Sequence, residues 1–415
     1  MFRNYVRDSW TNTPLNLATA RIILSGYLIW VLVSIEWGQL SRYPPTRTAS
    51  DTEPFQVLIP EVVLLYVDLL VLVTVLLLLM VAIGAYLQYS GYLASLLVCY
   101  FGVLRFQVDV TWSTQMFFAA GLLLMFYALY SDRDELSVDG LRRTSHTGLN
   151  GLNAHLKRPV GSRRYRASPL RVFLLALGLL YFGSGLGKLV VGGPGWMTAT
   201  NLGRNVFRPI QYGYAPGLRD VILQFELLLL ALAVGTIVLE LGFLVSILTN
   251  RLFDAFILSL LAFHIGIALT MGPIFVYTIV FLLLFLDWRR IASAITPSDD
   301  LIVAYDEHCF ACARSLYFFK YLDVTDTVEF YSQSNVAPGS ERIEGVDFDR
   351  SIHLINGGDV YEGYNALREL CRRLGVLYPI YVLLWIPPVP SLGRRVYRRL
   401  TADRSRTLSV PTDDL

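Results

Sequence analysis

Four cysteines, Cys99, Cys309, Cys312 and Cys371, are spread over 415 residues, too few for a disulfide framework. Charge is scarce as well. Only 16% of the residues are charged, against about 25% in soluble domains, while 54% are hydrophobic and the mean hydropathy is +0.50. That composition excludes an ordinary soluble protein and identifies a polytopic membrane protein. An excess of one sign of charge is also missing: 35 basic residues face 33 acidic ones, a net +2, which gives no ground for a nucleic-acid partner and moves attention to where the basic residues sit. No cleavable signal is evident. The first apolar run follows Arg3 and Arg7, exceeds the length of a signal h-region, and reads as a retained span.

Apolar runs of spanning length, about 20 residues for a core of about 30 Å, lie near 15–36, 61–87, 91–108, 112–130, 170–190, 220–248, 252–271 and 274–288. They predict an all-α transmembrane bundle of about eight spans over residues 1–292. Met271-Gly272-Pro273 divides the last two runs as a tight turn, or else kinks one long helix. The loop between the fourth and fifth runs carries Arg133, Arg142, Arg143, Lys157, Arg158, Arg163, Arg164, Arg166 and Arg171, so the positive-inside rule makes it cytoplasmic. Counting outward, the N-terminus and the chain after Arg289-Arg290 are cytoplasmic, and 191–219 is external.

From Asp299 to about residue 410 the texture changes to short alternating elements. Leu301–Tyr305 reads as a strand, 309–322 as a helix and 328–331 as a second strand, which is a parallel crossover. Ser351–Ile355, the turn Asn356-Gly357-Gly358 and Asp359–Tyr361 read as a hairpin, followed by a helix over 364–374. This order, β-α-β then β-β-α with a C-x-x-C opening the first helix, predicts a small α/β thioredoxin-like domain. Its tail, strongly apolar from Val376 to Pro390 and then rich in arginine from Arg394 to Arg406, is too short and Pro-broken to span; it reads as an interfacial segment held against anionic lipid.

Cys309 and Cys312 lie three positions apart at the expected helix start, where orphan N–H groups and the macrodipole favour a thiolate. In the redox reading Cys309 attacks and Cys312 resolves the mixed disulfide, with His308 adding positive charge and Asp306 and Glu307 opposing it. In the other reading the thiols are structural or half a zinc site that His308, His353 and Cys371 would complete.

The segment from Leu301 to about Arg406 resembles the DCC-type thiol-disulfide oxidoreductase family. Asp306, Cys309 and Cys312 match the three residues of its motif, and Gly363-Tyr364-Asn365-Ala366 with the apolar run and basic tail match its second half. Where the family usually has glycine after the motif aspartate, this chain has Glu307. The resemblance implies a thioredoxin-like fold and thiol-disulfide exchange through Cys309 and Cys312 with Asp306; His308 joins them as a candidate catalytic residue on the charge argument above, and the redox reading expects no required cofactor and no metal.

Ionisable residues inside spans are costly and mark functional candidates. From helix rise, Arg105, Lys188, His264, Asp68 and Glu226 are expected in the outer half as a polar cluster, and Arg21 and Glu240 in the inner half, where they could pair. The segment Tyr181–Leu189 followed by Trp196, together with Ser137-Val138-Asp139, Glu240, and His264 ahead of Gly272-Pro273, is similar to the horizontally transferred transmembrane (HTTM) domain family, best known from the vitamin K-dependent gamma-carboxylase. There the lysine matching Lys188 is the proposed base for the hydroquinone. The resemblance implies a quinone or hydroquinone as an admissible ligand of the bundle; it does not imply glutamate carboxylation, because no acid lies between Lys188 and Trp196 and a thiol domain replaces the carboxylase's lumenal region.

The sequence therefore predicts a multi-pass cell-membrane protein whose cytoplasmic C-terminal domain exchanges thiols and disulfides with a thiol protein or quinone partner. Two alternatives stand beside it: a quinone- or lipid-binding membrane enzyme acting through Lys188 and His264, and a non-enzymatic, immunity-type interaction protein.

Overall fold

The structure, a computed structural model, describes residues 14–37, 66–106, 112–129, 136–145, 169–207, 213–272, 275–295, 301–306, 310–323, 327–332, 351–356 and 359–402. In chain order its first helices are α1 (Pro14–Ser34), α2 (Val67–Ile83), α3 (Leu87–Phe106), α4 (Trp112–Leu129), α5 (Val138–Ser145), α6 (Pro169–Gly192), α7 (Ala199–Phe207), α8 (Pro216–Leu223), α9 (Glu226–Thr249), α10 (Phe253–Met271), α11 (Val276–Leu283) and α12 (Trp288–Ile295). The chain divides into two compact units, Met1–Glu135 with Arg163–Asp287 and Leu136–Ser162 with Trp288–Leu415. α5, which lies in the loop between the fourth and fifth apolar runs and so within the stretch 1–292 expected to form the bundle, belongs to the second unit.

The first unit is helical and apolar on its outside. Along α2, Leu69, Leu72, Leu76, Leu79 and Ile83 recur at helical spacing and are all exposed, the reverse of a soluble helix, whose open face is polar. Among the described residues five helical stretches are long and apolar enough to cross a membrane: Leu15–Ser34, Leu87–Arg105, Val172–Met197, Glu226–Thr249 and Phe253–Met271. The other expected spans form shorter apolar helices, α2 of 17 residues, α4 of 18 and α11 of only 8. Gly272, with φ of 92°, caps α10 through its N–H to Ile267 O at 3.2 Å. The chain thus stops one helix and starts another there, rather than kinking a single one.

Small residues set how closely these helices approach. A Cβ at Gly121 of α4 would lie 2.3 Å from Cys99 Sγ of α3, and one at Gly91 of α3 would lie 2.9 Å from Ala128 Cβ of α4. The pair α6 and α9 closes in the same way, Gly178 against Ile247 and Leu244, and Gly185 against Glu240. Arg21, fully buried on α1, donates to the carbonyl oxygens of Val81 and Ala82 at the C-terminus of α2. A guanidinium there meets last-turn carbonyls at the negative end of the helix dipole.

The second unit holds a four-stranded sheet. Its remaining elements are β1 (Leu301–Ala304), α13 (Phe310–Leu322), β2 (Val328–Tyr331), β3 (His353–Asn356), β4 (Asp359–Glu362), α14 (Tyr364–Arg373), α15 (Tyr378–Leu383) and α16 (Val389–Ala402). The strand order is β2-β1-β3-β4; β1 runs parallel to β2 and antiparallel to β3, and β3 antiparallel to β4. Every residue of β1 is buried, as a central strand covered on both faces requires. Leu301, Val303 and Tyr305 share one core with Leu316 and Phe319 of α13 and with Ala366, Leu370 and Cys371 of α14, so both helices cover the same face. Ile302 and Ala304 alternate to the other face, with Ile355 and Tyr331. Leu141 of α5 packs on the α13 and α14 core, and the Tyr321 hydroxyl both accepts from Ser137 N–H and donates to Ser137 O, each at 3.1 Å.

A polar staple closes the crossover. The buried Asp323 carboxylate accepts from Thr327 N–H at 3.0 Å, Thr327 Oγ1 at 3.1 Å and Val328 N–H at 2.9 Å, and it meets Lys320 Nζ at 3.3 Å. Lys320 also donates to Val328 O at 3.1 Å. The end of α13 is thereby tied to the start of β2.

Candidate functional site

Two places gather the residues that the sequence singles out, one in each unit. In the second unit β1 passes into α13. The Tyr305 N–H donates to Tyr331 O at 3.0 Å, extending the β1/β2 ladder one residue beyond the strand. Asp306 follows, buried. α13 starts at Phe310 and carries Cys312 in its first turn, at the end of a central strand where helix N–H groups are unpaired. Glu307, His308 and Cys309 lie outside the described residues, as does the side chain of Cys312.

The alternative zinc set does not assemble from its described members. Cys371 lies buried in the core shared with Leu354, and burial pushes its thiol up to about 11. His353 precedes Leu354 on β3 and is in register with Ala304, so it points to the opposite face of the sheet. The two cannot share one ion, and among the described residues no group of three His, Cys, Asp or Glu side chains could hold a metal.

In the first unit, Lys188 and Glu240 form an ion pair, with Nζ 2.5 Å from Oε1 and 2.6 Å from Oε2. Lys188 also donates to Ser184 Oγ at 2.8 Å and lies 5.3 Å from the centre of the Trp196 ring. About two turns before Lys188 on α6, the Tyr181 hydroxyl is 2.6 Å from His264 Nε2 of α10. Tyr181, Ser184 and Lys188 stand at i, i+3 and i+7 and so share one face of α6. These groups line one cavity of about 500 Å³, within the range of small-molecule sites. Its remaining wall is largely apolar, from residues such as Leu177, Ile267 and Phe281.

This arrangement corrects two expectations. Glu240 pairs with Lys188 rather than with Arg21, because α9 is offset along α6: Gly185 faces Glu240 and Gly178 faces Ile247, so Glu240 is level with the last two turns of α6. Arg21 instead caps α2. Of the expected outer cluster the structure brings together Lys188 and His264 but not the other three. Asp68 and Glu226 are exposed in the first turns of α2 and α9, and Arg105 lies in the last turn of α3; none of them lines the cavity. Tyr181, Ser184 and Thr236 were missed as site residues, although the i, i+3, i+7 spacing on α6 was there to be read.

Comparison with known families bears on the second unit. Residues 303–409 match the DCC1-like thiol-disulfide oxidoreductase family. The match covers about a quarter of the chain, starts inside β1 and takes in β2 to β4, α13 to α16 and the C-x-x-C. No curated protein and no solved structure matches the chain.

Proposed function

We propose that this protein is a membrane-anchored thiol-disulfide oxidoreductase whose C-x-x-C works on the cytoplasmic face. The observation that carries the reading is the coincidence of the DCC1-like match with a C-x-x-C at the junction of a buried central strand and a helix. Strand order β2-β1-β3-β4 with a parallel first pair and two helices on one face supports a thioredoxin-like domain. The five spanning-length helices support the anchor, and the basic loop between the fourth and fifth apolar runs supports the cytoplasmic side. In the reaction the Cys309 thiolate attacks one sulfur of a partner disulfide and releases the other as a thiolate. Cys312 then displaces the partner, leaving a reduced dithiol partner and an oxidised Cys309–Cys312 pair. On the reducing side of a membrane the pair rests as a dithiol.

Replacing Cys309 with Ser is expected to abolish exchange with a disulfide substrate, and Cys312→Ser to trap the mixed disulfide, read on a non-reducing gel. A Cys309→Ser chain that keeps full exchange activity refutes the reading.

The bundle cavity favours a second reading, a quinone- or lipid-binding site of the HTTM kind. The supporting observation is the convergence of Lys188, Glu240, Tyr181 and His264 on a largely apolar wall. These residues fit a ligand with an apolar body and a ring oxygen, since Lys188 and Tyr181 both carry donors. Lys188→Met is expected to reduce binding of a short-chain quinone analogue by at least about 10-fold, for the loss of one charge-assisted hydrogen bond. Unchanged affinity removes this reading without touching the thiol one.

A further inference from the structure

Residues 374–402 contain no Asp or Glu, and they form the most openly apolar surface of the second unit. Leu383 and Leu392 are each 58% exposed and Trp385 is 53% exposed; Tyr378, Ile380, Val382, Ile386 and Val396 are exposed as well. A soluble domain rarely leaves so large an apolar surface open unless something covers it.

This surface is held in place by the domain. On α16, Gly393 comes so close to the Tyr364 ring that a Cβ there would lie 2.2 Å from it, and the Tyr397 hydroxyl accepts from Ile352 N–H at 3.1 Å. Gly393 and Tyr397, at i and i+4, define the docked side. Leu392, Val396 and Arg399, at i, i+4 and i+7, run along a neighbouring side with Arg395 beside them, and Arg394 and Arg398 extend a polar face whose charged residues are all basic. The guanidinium of Arg368 lies 4.2 Å above the Trp385 ring, which fixes the indole by a cation–π contact.

We infer that α15, the turn after it and α16 form a bilayer-docking face that seats the thiol domain on an anionic lipid surface. Charge complementarity selects the occupant. An apolar stripe with Trp and Tyr, bordered only by arginines and no acids, fits the boundary of acyl chains and anionic headgroups. The inference does not depend on the thiol chemistry, because none of these residues belongs to the C-x-x-C.

The test uses the full chain in nanodiscs, with a polarity-sensitive fluorescent amino acid at Leu383. Emission is expected to move to the blue when phosphatidylglycerol is added to phosphatidylcholine. The shift should be lost in the Arg394, Arg395, Arg398 and Arg399→Gln variant, and should weaken in the unsubstituted arginine background as salt is raised. Because the salt titration needs no arginine variant, misfolding of the variant cannot decide the outcome. Water-like emission in both lipids overturns the inference, and so does blue emission insensitive to lipid charge and salt, which would indicate a protein contact such as a second copy.

Discussion

At the scale of single residues, Cys371 shows how environment makes a thiol structural. Cys371 packs under Leu354 and Leu370, and its raised thiol pKa, about 11, follows from desolvation alone. At pH 8 its thiolate fraction is roughly 100-fold below that of a free cysteine. Maleimide labelling of the native chain, read by mass spectrometry, is therefore expected to leave Cys371 unmodified until the unit is unfolded. The sign for stability follows from the same shift. Below about pH 9 the thiol is neutral in both states; between there and about 11 only the unfolded chain ionises, so the second unit loses stability across that window. Labelling of Cys371 as fast as of a free thiol at pH 8 would contradict its burial.

At the scale of elements, the α13–β2 connection depends on Asp323, whose side chain is wholly buried and whose partners are one cation, two backbone N–H groups and one hydroxyl. Asp323→Ala leaves the Lys320 ammonium, itself buried, without its carboxylate. A loss of about 3 kcal/mol is expected for breaking such a pair, measured as a shift in urea-dependent proteolysis of the second unit in the full chain. Lys320→Met should cost less, because the carboxylate keeps its other donors. Equal losses for the two would mean that the ion pair, not the cap, carries the connection. α5 is the other telling element. Its sequence, eight residues with two arginines, reads locally as loop, and it becomes a helix of the second unit because Leu141 and the Ser137–Tyr321 exchange give it tertiary partners.

For the whole molecule, the proposed function turns on which side of a membrane the C-x-x-C faces. With Cys309 on the cytoplasmic side, an impermeant maleimide added to intact cells should leave it unlabelled and should modify it after permeabilisation. Labelling in intact cells would place the dithiol in the oxidising compartment and reverse its expected resting state. The same experiment bears on span number, since an odd count of crossings after the basic loop moves the domain to the other face.

What the sequence determined by itself is what depends on neighbours along the chain. Apolar run length announced the long apolar helices of the first unit, and the switch from long runs to short alternating elements announced the strands and helices of the second unit. Tertiary structure alone decided who meets whom. Depth counted residue by residue assumes that every helix begins at a common plane, so it paired Glu240 with Arg21; the close approach allowed by Gly178 and Gly185 sets the real offset of α9 on α6 and delivers Glu240 to Lys188. The partner of a buried charge is chosen by the packing of bare backbone against side chain between distant segments, and no local pattern encodes that distance.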